Sequence, residues 1–383
     1  MSRPRLAVSV AFLAFGAAAG SWVPRLPSIK ERLGLSDGDV GVALLLYSAG
    51  AVVGASAARF LLARGSRFQV RVGTVALCAA MAAIGLAESR AMLYVAVLAI
   101  GLCAGFIDVL ENAQAAELEH VEGRPLINGL HGFWSVGAMV GSVSAGAAAF
   151  AGIGPMPQLA VAAVVIAALS AWWLRELPDT RSAAQRAEPE GAGRMWLTGA
   201  IAAVAVIAFC SILTEGGTAD WSAIYLRELS HANAGVAAAG FAGFSLAAAL
   251  VRFRADRLTS RFGAGRLARL GALTAVLGVG LAIGVPAPAG AIPGFALAGV
   301  GVAVLVPLSY TAAANLGRSG TALSIVIAAG YAGSIAGPAL IGATADRAGL
   351  RVAMAIPLTA GLVVAALAPY LGSSKKTGSP ALQ

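Results

Sequence analysis

The sequence predicts an all-α integral membrane protein with twelve transmembrane helices. Hydrophobic residues make up 58% of the 383 and charged residues only 12%, about half the charged share of a soluble domain. Mean hydropathy is +0.82, an apolar excess that a soluble fold of this length has too little polar surface to cover. The apolar residues gather in twelve runs of about 20, the length that crosses roughly 30 Å of hydrocarbon. Backbone groups in lipid must be satisfied within a helix or a closed barrel, and these runs are too long and continuous for barrel strands.

In chain order the predicted spans are 6–23, 40–62, 72–88, 92–116, 129–151, 157–174, 196–217, 233–253, 267–286, 291–314, 320–342 and 352–371. The first follows Arg3 and Arg5 and ends near the small residues Ala19 and Gly20, a pattern shared with signal peptides. It is read as an uncleaved first span, because the remainder is membrane-embedded anyway. The longest polar connection, RELPDTRSAAQRAEPEGAGR from Arg175 to Arg194, is charged and carries two prolines. It divides the chain into a six-helix bundle at 1–174, a linker at 175–195 and a second six-helix bundle at 196–371. The stretch 372–383, GSSKKTGSPALQ, reads as a disordered cytoplasmic tail.

The two halves resemble each other. The second span contains GVALLLYSAGAVVG from Gly41 and the eighth GVAAAGFAGFSLAA from Gly235. The fifth contains GAMVGSVSAG from Gly137 and the eleventh GSIAGPALIG from Gly333. Small residues at such density let helix backbones approach closely.

With the N-terminus in the cytoplasm, 20 of the 27 basic residues fall on the inner side and 7 on the outer. Both termini are therefore expected in the cytoplasm of a cell (inner or plasma) membrane. The net charge of +9 sits in clusters between apolar runs without aromatic interleaving. That pattern fits a lipid bilayer as partner and argues against nucleic acid. Cys78, Cys103 and Cys210 lie inside apolar runs with no zinc or redox spacing and are expected as buried thiols. No phosphate loop and no nucleophile–base or metal-ligand constellation is visible, so no enzyme, cofactor or metal is expected. A monomer is expected.

An ionisable group near the bilayer centre costs roughly 2.5–3.5 kcal/mol on insertion scales, which makes it a functional candidate. Asp108, Glu111 and Asn112 in the fourth span have spacings of three and four, placing them on one helical face. Two carboxylates so close in low dielectric do not both ionise readily, which suits one of them to bind and release a proton. Glu111 has a second reading, as a partner of an arginine or of His131. Glu215 lies in the predicted outer third of the seventh span, before Gly216 and Gly217, a pair that permits a broken helix. Asp220 and Trp221 follow one turn later, as an acid and an aromatic at the cavity mouth. His131 and Trp134 open the fifth span, the latter apt to stack on a sugar ring or other flat solute. Arg25 ends the first span, placed to meet an anionic group or to snorkel into water.

Four stretches resemble the major facilitator superfamily, and within it the YbjJ-like group, distantly similar to fucose:proton symporters. They are GSWVPRLPSIKERLGLSDGDVGVALL from Gly20, GFIDVLENAQAAELEHVEGRPLINGLHGFWSVGAMVG from Gly105, TEGGTADWSAIYLRE from Thr214 and VRFRADRLTSRFG from Val251. The resemblance implies the major facilitator fold, two six-helix bundles working by alternating access. It implies a cytoplasmic gate after the eighth span, with Asp256–Arg257 matching its core, Arg261 its later basic residue, and Arg252 beside them. The first-half equivalent, ARFLLARGSRFQVR from Ala58, keeps the arginines but has no acid. Asp108 and Asn112 match a symporter Glu and Asn four residues apart, and Glu111 is an added acid. The expected function is proton-coupled uptake of a small polar, sugar-like solute, with Asp108, Glu111 and Glu215 carrying protons. Asn112, His131, Trp134, Asp220, Trp221 and Arg25 are the expected solute contacts. The rivals are a proton-driven antiporter exporting a drug or metabolite and a sensor or scaffold that transports nothing. The Gly-Pro element of antiporters is missing late in the fifth span; Pro155 lies beyond it, and Gly337–Pro338 is in the eleventh.

Overall fold

The structure is a computed structural model that describes residues 2–61, 66–178, 199–316 and 321–375. Twelve helical stretches are long and apolar enough to cross a membrane: Arg3–Leu33, Asp37–Ala58, Arg67–Leu86, Arg90–Glu122, Ile127–Phe150, Pro155–Glu176, Gly199–Glu228, Ala234–Arg252, Ala264–Gly284, Pro288–Asn315, Thr321–Ala348 and Leu350–Gly372. They are spans 1 to 12 below. The expected linker lies mostly outside the described residues, as does the tail from residue 376.

Several ends differ from expectation. Span 1 turns at Pro24 and continues as the short helix Leu26–Leu33, which buries Leu26, Pro27 and Ile29. Spans 4 and 7 run to Glu122 and Glu228. Their last turns carry charge, so hydropathy underestimates their length. The Gly216–Gly217 pair does not break span 7, whose helix is continuous. A Cβ at Gly217 would lie 2.7 Å from Ile341 Cδ1, so this glycine serves close packing on span 11. Interruptions fall in span 12, between Leu350–Ala353 and Ala355–Leu367, and in span 10, between Pro288–Val302 and Leu305–Asn315. Pro307 has no N–H to give the Ala303 carbonyl, which removes one rung of the helix there.

The packing repeats six spans on. Span 1 lies on 5 and span 7 on 11; span 2 lies on 4 and span 8 on 10; span 3 lies on 6 and span 9 on 12. The register repeats too. A Cβ on Gly137 would meet the Leu13 carbonyl at 2.0 Å, and one on Gly333 would meet the Phe209 carbonyl at 2.4 Å. Both pairs are separated by the same 196 positions. Helix contacts in lipid gain little from hydrophobic burial, so backbone approach of this kind supplies the packing.

The halves meet along spans 2 and 11 and spans 5 and 8. Ser48 donates to the Ser334 carbonyl at 2.8 Å and Ser142 to that of Ala238 at 2.8 Å. The starts of span 1 and the end of span 12 lie at one end of the bundle. At the far end charged groups join the halves. Lys30 bridges Asp37, at 2.6 Å, and Glu228, while Arg227 pairs with Glu31 at 2.5 Å. Asp346 accepts from the Gly38 N–H at 2.8 Å and from Ser36 Oγ at 3.2 Å.

Candidate functional site

A cavity of about 180 Å³ lies between the halves. Its walls include Trp22 of span 1, Tyr47 of span 2, Trp134 of span 5, Glu215 and Asp220 of span 7, and Phe241, Phe244 and Ser245 of span 8. Trp22 and Tyr47 are in tilted contact with ring centroids 5.7 Å apart, and Trp134 meets Phe15 edge-on at 6.1 Å. Among the described residues the Asp220 carboxylate makes no hydrogen bond or ion pair.

Beside the cavity a chain of polar contacts crosses from one half to the other. Asn112 Nδ2 donates to Asp108 Oδ1 at 3.1 Å and to the Asp108 carbonyl at 2.8 Å. Its Oδ1 faces His131 Nε2 at 3.3 Å. One turn of helix joins this histidine to the next member, because Ser135 Oγ donates to the His131 carbonyl at 3.1 Å. Arg252 of span 8 reaches across, with one nitrogen 2.6 Å from Ser135 Oγ and the other 2.7 Å from Glu215 Oε1. The Arg252–Glu215 pair is mostly enclosed, at 11% and 24% side-chain exposure.

The structure separates the expected residues. Trp134, Glu215 and Asp220 line the cavity. Asp108, Asn112 and His131 form the adjoining chain. With the observed bounds of spans 4 and 7, Asp108 and Glu215 both fall near the middle of their helices; Glu215 is not in an outer third. Glu111 faces away. It is 1% exposed, and neither carboxylate oxygen has a hydrogen-bond partner among the described residues. A spacing of three leaves it some 60° off the Asp108 direction, and it pairs with neither His131 nor an arginine.

The remaining expected contacts lie outside the cavity lining. Trp221 is 0% exposed and lies outside the cavity lining. Arg25 does not snorkel and lies outside the cavity lining. It is 3% exposed and donates to the carbonyls of Ala145, at 3.3 Å, and Ile153, at 2.6 Å. It thereby ties the bend of span 1 to the last turns of span 5 and to the loop that follows them. In the gate stretch, Asp256 accepts from Asn128 Nδ2 at 2.6 Å across the halves. Arg257 and Arg261 are exposed, with Arg261 over the ring of Phe262. Arg252 points inward to Glu215 instead of joining this surface group.

Trp22, Tyr47 and Ser135 are site residues that sequence reasoning did not single out. A signal for Tyr47 was present. In the repeat it aligns with Phe241, and both line the cavity.

A twelve-span bundle of two repeated halves around a central cavity is the architecture of a membrane transporter. The Major Facilitator Superfamily model matches residues 8–319, and the chain belongs to that family. It is 33% identical over 277 residues to an uncharacterised transporter of Sinorhizobium fredii, covering 72% of this chain and 73% of that protein. An uncharacterised MFS-type transporter of Yersinia pestis is 30% identical, covering 95% and 94%. Membrane protein MosC of Rhizobium meliloti is 29% identical, covering 98% and 91%. In fold the chain is similar to a point mutant of the nucleoside transporter NupG, with a TM-score of 0.72 at 14% identity over 97% of this chain and 99% of that one. It is also similar to the transporter FucP, with a TM-score of 0.67 at 16% identity over 96% and 98%.

Proposed function

We propose that this transporter couples uptake of a small polar, sugar-like solute to protons by alternating access. The observation that carries the reading is the chain from Asp108 to Glu215. It has one carboxylate in each half at mid-depth, joins them through Asn112, His131, Ser135 and Arg252, and runs beside the cavity. A charge buried in low dielectric is sensitive to the loss of its partner. A proton taken up at Asp108 removes the anion that orients Asn112. A proton at Glu215 dissolves its ion pair and loosens Arg252, which also holds Ser135 of the other half. Proton binding is thereby converted into a change at the contact between halves.

The excess of basic residues at the termini end supports a cytoplasmic position for that end. The ion pairs of Lys30 and Arg227 then form a closed outer gate. The aromatic walls of the cavity suit a compact ring.

The test is proton movement in proteoliposomes loaded with a pH-sensitive dye. Addition of transported members of a hexose, polyol and amino-sugar panel is expected to acidify the lumen. Asp108→Asn is expected to abolish acidification while solute exchange at equal pH persists. Uptake indifferent to the proton gradient, or acidification unchanged in Asp108→Asn, would sink the reading.

A further inference from the structure

The cavity walls carry two carboxylates, and they are not equivalent. Glu215 is paired with Arg252 at 2.7 Å. Asp220, little more than one helical turn further along span 7, has no cation among the described residues to balance it. The short Gly216 lies beside it, so that a Cβ there would sit 3.7 Å from Asp220 Oδ2. The surrounding walls are aromatic: Trp22 and Tyr47 in mutual contact, Trp134, Phe241 and Phe244. A lone carboxylate enclosed in such walls is costly unless a proton or a cation joins it. Aromatic faces attract cations, and Trp does so best.

We infer that the solute bound here carries an ammonium group, held by the Asp220 carboxylate and flanked by the rings of Trp22, Tyr47 and Trp134. The inference rests on the reading of this cavity as the solute site, and it narrows the solute from polar to amino-bearing. The remaining hydroxyl-bearing part of such a solute has Ser245 and Glu215 on the cavity wall. A neutral hexose satisfies these last groups but leaves Asp220 unbalanced. An anionic solute is disfavoured by both carboxylates.

Binding to the purified full-length protein, followed by the fluorescence of its tryptophans, provides the test. The probes are matched pairs that differ in one charge: glucosamine against glucose, ethanolamine against ethylene glycol, and choline against 3,3-dimethylbutan-1-ol. The cationic member of at least one pair is expected to bind about tenfold or more tightly than its neutral partner, a preference of about 1.4 kcal/mol. Asp220→Asn is expected to erase that preference, and Trp134→Leu to weaken the cation more than the neutral partner. Equal binding within every pair, binding of no cationic member, or a preference that survives Asp220→Asn overturns the inference. Should Asp220→Asn not fold, Trp134→Leu and the wild-type pairs still decide. Charge-selective binding with proton-indifferent uptake would remove the coupling proposal and leave this one standing. Proton-coupled uptake of neutral hexose alone would do the reverse.

Discussion

Arg252 shows how one side chain acquires its meaning from its surroundings. It ends span 8 at the edge of a basic stretch, and by sequence it belongs with Asp256, Arg257 and Arg261. In the fold it turns inward, and its two terminal nitrogens bind opposite halves. Arg252→Ala leaves the Glu215 carboxylate enclosed without a cation, and removing one partner of such a pair costs about 3 kcal/mol. The expected result is a clear fall in melting temperature in detergent. The double variant Arg252→Met with Glu215→Met should recover most of it, because neither charge then remains. Glu111 presents the opposite case. Its oxygens have no partner among the described residues, and a buried unsatisfied polar group costs about 1–3 kcal/mol. Glu111→Met is therefore expected to raise the melting temperature. If instead it lowers stability and also abolishes proton coupling, Glu111 is part of the proton path.

At the scale of elements, glycine decides which helices touch. A Cβ on Gly105 of span 4 would sit 1.8 Å from the Ala51 carbonyl of span 2. Gly105→Val must push these helices apart, and overpacking of this kind costs about 1–3 kcal/mol. Size-exclusion profiles in mild detergent should show a smaller monodisperse fraction. Helix existence was legible in the apolar runs. Helix ends and breaks were less so. Span 7 passes through Gly216–Gly217, where span 11 packs against Gly217, whereas span 10 is interrupted just before Pro307, which lacks a hydrogen-bond donor. A glycine pair permits a break; tertiary contact decides whether it happens.

For the whole molecule, the far-end contacts are expected to act as a latch between halves. Ser36 and Asp346 meet across them, so Ser36→Cys with Asp346→Cys, on a background lacking Cys78, Cys103 and Cys210, should form a disulfide on oxidation. Transport should stop when the disulfide forms and resume on reduction. Unchanged transport in fully cross-linked protein would show that this end does not open during the cycle. The repeated packing of the two halves gives the reason to expect opening: the same helix pairs support each half as a unit, while polar, reversible contacts hold the halves together at this end.

Composition and hydropathy alone determined that the chain spans the membrane about twelve times and that Asp108, Asn112, Glu215 and Asp220 are exceptions needing a reason, while the polar stretch from Arg175 marked a division into two halves. These follow from solvation, because lipid accepts long apolar helices and penalises stray charge wherever it falls in the fold. Only the tertiary structure decided which exceptions meet. Asp108 is joined to Glu215 through residues from spans 4, 5 and 8, Arg25 is consumed in tying span 1 to span 5, Trp221 is packed away, and Asp220 faces a ring of aromatics unpaired. Those outcomes depend on rotation and register between helices. Backbone contacts at small residues set both, and no single run of sequence contains them.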